Sequence, residues 1–81
     1  MDKKTFLFTY DDDSTYLAEN VTLKEALVNA MEYYGGAYDF FRKSLIGFDD
    51  NDVKTMVALY AYFARFHSVI ESIYVISEKI F

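Results

Sequence analysis

With 81 residues, 53% of them hydrophobic and 20% aromatic, the chain reads as one domain, 1–81, too apolar for a disordered tail. Its 13 acidic against 8 basic side chains leave a net charge of -5, and Lys3-Lys4 and Arg42-Lys43 are its only basic pairs. No predicted helix carries the cationic stripe that phosphate binding demands, so nucleic acid is not expected as a direct ligand. The absence of cysteine excludes disulfide frameworks, thiolate metal sites and thiol nucleophiles.

A domain of this size buries only roughly 60–65% of its unfolded surface, so the aromatics must fill a thin core or meet a partner. The apolar stretch at 6–10 stops at Asp11-Asp12-Asp13, too short for a signal peptide. The longest apolar run, 56–64, is nine residues, whereas a membrane span needs about 20. A soluble, cytoplasmic protein without membrane contact is the expectation.

In chain order, residues 4–10 alternate, with Phe6, Phe8 and Tyr10 on one face and Thr5, Leu7 and Thr9 on the other, as a half-buried strand does. Asp11-Asp12-Asp13-Ser14 is turn chemistry, because these side chains bond their own backbone. Residues 15–19 return as a second strand of a hairpin. Thr22-Leu23-Lys24-Glu25 is a capping box, with Thr22 at the N-cap and Glu25 reaching back. Behind it, Leu23, Ala26, Leu27, Ala30, Met31 and Tyr34 share one helical face, and Gly35-Gly36 allows a helix end, which predicts a helix over 23–34.

A weaker helical pattern spans 37–46, with Tyr38, Phe41 and Leu45 in one stripe and Gly47 as the stop. Asp49-Asp50-Asn51-Asp52 then supplies a turn and an N-cap for a third helix over 53–66, with Asp49 or Asp50 as the expected cap. The tail fits either element. As a helix it aligns Val69, Ile73, Ile76 and Ile80; as a strand it groups Ile70, Ile73, Val75 and Ile76 around Tyr74. A two-stranded hairpin gains much from a third strand, which favours a strand over about 70–77. The fold class expected is α+β: a small antiparallel sheet, formed by the N-terminal hairpin and a C-terminal strand, packed against two to three helices.

Catalytic chemistry finds little support. His67, the single imidazole, has Ser68 beside it, but a triad needs nucleophile, base and orienting acid converging in space, and a helix-end histidine is the simpler reading. A calcium loop needs Gly at its sixth and Glu at its twelfth position. Counting from Asp11 puts Tyr16 and Thr22 there, and from Asp49, Lys54 and Tyr60. Gly35-Gly36 follows a helix rather than a strand and lacks the lysine of a phosphate loop. No enzyme activity, cofactor or metal is expected.

Binding surfaces are better supported. The third helix carries one apolar face of Val53, Met56, Val57, Tyr60, Phe63 and Ala64, and a second of Leu59, Tyr62 and Phe66. Small domains have little protein with which to surround such a helix, so the second face is a candidate contact with another chain. Eight tyrosines cannot all lie deep without hydroxyl partners, and exposed tyrosine is a favoured interface anchor. Together with the acidic loops, this gives a candidate partner-binding set of Asp11, Asp12, Asp13, Asp49, Asp50, Asp52, Leu59, Tyr62 and Phe66, directed at a protein with a basic surface.

The strand, acidic turn, strand and capped helix over 4–34, with Thr22-x-x-Glu25 as their motif, resemble small phage and mobile-element proteins, including anti-CRISPR inhibitors of host defence. That resemblance implies an inhibitor that occupies a site on a nucleic-acid-handling host protein. The alternatives are a structural homodimer paired through the third helix and a small-ligand binder with an aromatic pocket between sheet and helices.

Overall fold

The computed structural model describes residues 3–64 and 68–81. The elements run β1 (Lys4–Tyr10), β2 (Thr15–Val21), α1 (Leu23–Tyr33), α2 (Tyr38–Leu45), α3 (Val53–Phe63), β3 (Ile70–Val75) and β4 (Glu78–Lys79). The four strands form one antiparallel sheet in the order β2-β1-β3-β4, which makes the fold α+β.

Strand alternation sets the layers. Phe6, Phe8 and Tyr10 are buried beneath the helices, whereas Thr5, Leu7 and Thr9 point to the opposite, open face. Cross-strand pairing continues that division. Leu7 sits between Leu17 and Tyr74 on the open face, and Phe8 between Tyr16 and Ile73 on the inner one. The second strand runs to Val21 rather than ending near 19, because a bulge absorbs one extra residue: Lys4 pairs with Val21 but Phe6 with Ala18, and Asn20 takes φ 57°.

Helix α1 follows its sequence signals closely. Glu25 N–H donates to Thr22 Oγ1 at 3.2 Å and Thr22 N–H to Glu25 Oε1 at 2.9 Å, so the capping box is complete. Leu23, Ala26, Leu27, Ala30 and Met31 are buried, and Gly35, at φ 80°, ends the helix. Helix α2 brings Phe41 and Leu45 into the core. Phe41 stands edge-on to Tyr60 with ring centroids 5.6 Å apart, and so covers α3 from its flank.

Three expectations are corrected around α3 and the tail. The helix ends at Phe63 with Ala64 as its C-cap, and the last two residues of the expected span, Arg65 and Phe66, lie outside the described residues, as does His67. Neither Asp49 nor Asp50 caps it. Asp52 holds the N-cap position with no side-chain cap bond, because Asp49 Oδ1 already accepts from Asn51 N–H at 2.8 Å and Asp50 lies 3.9 Å from Lys24 Nζ. The C-terminal strand stops at Val75 rather than 77. Ile76 and Ser77 turn the chain, Ile76 taking φ 59°, and the chain doubles back as β4, a strand that sequence reading did not anticipate.

Candidate functional site at the hairpin tip

The direction of each element decides which side chains meet. β1 runs from Lys4 at the base of the sheet to Tyr10 at the tip. α1 and α3 run the same way, so that Tyr34 stacks edge-on against Tyr10 at 5.0 Å and Tyr60 bonds to Tyr10. The tip therefore gathers the β1–β2 turn, the C-terminal ends of α1 and α3, and the residues that lead into β3. Asp11 N–H donates to Val69 O at 3.1 Å and Val69 N–H to Asp11 Oδ1 at 3.2 Å, a reciprocal pair that ties the turn to β3.

The tip turn is built by its own carboxylates. Asp12 Oδ1 accepts from Ser14 N–H at 3.0 Å and from Ser14 Oγ at 2.6 Å. The Ser14 hydroxyl, then that of Ser68 and the Ser14 amide, hold the Asp12 carboxyl at about 2, well below its ordinary range. Asp13 adopts φ 68°, a left-handed position that Asp tolerates better than most residues. All three aspartates are exposed. The tip thus presents three exposed aspartates on a turn shaped by the Asp12–Ser14 bonds.

Exposed aromatic side chains lie at the same end of the molecule. Tyr33 is 70% exposed and lies 5.2 Å from the Tyr16 ring, and Tyr62, 69% exposed, projects from the last turn of α3 beside Phe63 at 5.3 Å. Val69 adds an exposed aliphatic group at the same end. Beneath them the chain becomes dry. Tyr10 and Tyr60 are buried with their hydroxyls 3.0 Å apart, and burial pushes both phenols above their ordinary range. Burial also raises Tyr16, with Tyr33 as the next cause.

The residues singled out from the sequence are divided by this geometry. Asp11, Asp12, Asp13 and Tyr62 share the tip. Asp49, Asp50 and Asp52 are exposed but lie at the base, where Asp50 borders a cleft together with Lys4, Leu23 and Val75. The two acidic clusters are therefore not one strip. Leu59 is half-buried and packed against the core, and so is not part of an exposed patch, while Phe66 lies outside the described residues. Tyr33 and Val69 were missed as site residues. The signal for Tyr33 was available, since it falls off the apolar stripe of Leu23, Ala26, Leu27, Ala30, Met31 and Tyr34.

A groove of about 540 Å3 separates α1 from α2, and none of its lining residues, Lys24, Val28, Arg42 and Leu45 among them, is aromatic. Lys24 donates to Phe48 O, and Arg42 pairs with Asp39 at 2.8 Å, so both cations there are already engaged. Among the described residues, no cluster of acidic or imidazole side chains is placed to hold a metal ion, and no helix is long and apolar enough to cross a membrane. No family model, curated protein or solved structure matches the chain.

Proposed function

We propose that the chain is a small acidic protein-interaction module that presents the tip of its sheet to a basic surface on a protein partner. The observation that carries this reading is the grouping of three exposed aspartates with exposed Tyr33, Tyr62 and Val69 at one end of the molecule. Carboxylates attract a cationic surface over a distance, and tyrosine supplies rigid contact area once it arrives. Asp49, Asp50 and Asp52, at the far end, add to the long-range field without sharing the contact.

The finer form of the proposal is an inhibitor of the phage, anti-CRISPR-like kind, acting in the cytoplasm by occupying the nucleic-acid-binding surface of a host protein. Such surfaces are lined with Lys and Arg, which suits the charge of the tip. The test is affinity capture from host lysate with the wild-type chain and with the triple variant Asp11→Asn, Asp12→Asn, Asp13→Asn. Asparagine keeps the acceptors that serve Val69 and Ser14 and removes only the charge. A nucleic-acid-handling protein retained by the wild type and lost by the variant supports the proposal. Equal retention by both chains overturns it.

A further inference from the structure

We propose that the free edge of β2 pairs antiparallel with β2 of a second copy, joining the two sheets into one of eight strands. Among the described residues, β2 is the terminal strand of the sheet and pairs only with β1. It carries no lysine or proline, the residues that commonly blunt an exposed edge, and the bulge at Asn20 limits pairing to Thr15 through Glu19. Apolar groups flank this edge on both faces. Leu17, 54% exposed, continues the open-face row from Tyr74 and Leu7, and Tyr16 with Tyr33 lines the inner face.

A two-fold axis perpendicular to the sheet requires that one residue face its own copy, and Leu17 is the residue that suits. That register sets Leu17 against Leu17, Tyr16 against the small Ala18 of the second copy, and Thr15 against Glu19. No like charges face one another within the pairing. Large meets small on the inner face, and the leucine row runs unbroken across the axis. Centring on Glu19 would oppose two carboxylates, and centring on Tyr16 would set two bulky rings together.

The cysteine-free chain allows a direct test of the register. In Leu17→Cys the two thiols face each other on Cα atoms about 4.5–5.5 Å apart, within the span of roughly 4.4–6.8 Å that a disulfide bridges. In Thr15→Cys the symmetric thiols are displaced by about 13 Å along the strand. Under mild oxidation Leu17→Cys should therefore form a covalent dimer and Thr15→Cys should not. Sedimentation of the wild type should show a dimer that dissociates with dilution. Leu17→Lys, which alters an exposed side chain, should be monomeric with an unchanged circular dichroism spectrum. A wild type monomeric at its highest soluble concentration, as expected if the edge receives an extended strand of another protein, overturns the pairing. So do a dimer that survives Leu17→Lys and a Thr15→Cys chain that cross-links as readily as Leu17→Cys.

Discussion

The Tyr10–Tyr60 hydroxyl pair ties the tip to the core, and its removal has a calculable cost. Tyr60→Phe takes away the partner 3.0 Å from Tyr10 Oη, in a residue only 2% exposed. A buried hydroxyl left without a partner costs about 1–3 kcal/mol, and Tyr10→Phe should cost a similar amount because Tyr60 is then stranded in turn. The double variant removes both polar groups while keeping the ring contacts with Tyr34 at 5.0 Å and with Phe41 at 5.6 Å, so it should lie close to the wild type. In a domain of this size each 1 kcal/mol moves Tm by about 4–8 °C, so either single variant should melt roughly 5–20 °C lower. Urea unfolding followed by circular dichroism gives the full double-mutant cycle. Single variants within about 0.5 kcal/mol of wild type, or a double variant that costs the sum of the singles, would refute the reasoning.

Three further outcomes follow from individual groups. Thr22→Ala should destabilise the fold by about 0.5–2 kcal/mol in chemical denaturation, since the Glu25 N–H loses its acceptor. Ile76→Gly should raise Tm, because a β-branched residue at φ 59° costs about 1–2 kcal/mol and a side chain 91% exposed forfeits almost no burial when removed. The pH dependence has a defined sign at each end. The lowered Asp12 carboxyl gives stability that is present above about 3.8 and lost as pH falls toward 2, and the raised Tyr10 and Tyr60 phenols give stability that is full below 10 and lost as pH rises above it. Absorbance titration should accordingly find Tyr10 and Tyr60 ionising only above the ordinary phenol range.

Local rules made much of this fold legible. The alternation of Phe6, Phe8 and Tyr10, the Thr22–Glu25 box and the Met31-to-Gly35 helix end each depend on residues within a few positions, and each formed as read. The errors arose where another contact, local for Asp49 and tertiary for Asp50, competed with the expected one. Lys24 and the Asp49 turn engage the carboxylates that would have capped α3, leaving Asp52 at the N-cap without a side-chain bond. β4 is too short to leave a period, and Ile76 occupies a turn position for which isoleucine is no signal. The site was half legible. Composition identified aspartate and tyrosine as the residues of interest, but only the parallel run of β1, α1 and α3 brings Asp11–Asp13, Tyr33 and Tyr62 together and sends Asp49, Asp50 and Asp52 to the other end.

The proposed guidance of the chain onto a basic surface by its acidic tip is tested most directly by the association rate of the captured partner as a function of salt. Screening shortens the reach of charge from about 10 Å at ~0.1 M salt to about 3 Å at ~1 M. The wild-type rate should fall steeply across that range, and the triple variant Asp11→Asn, Asp12→Asn, Asp13→Asn should start lower and fall less. A wild-type rate indifferent to salt, or a triple variant that matches the wild type in both rate and slope, would contradict the claim.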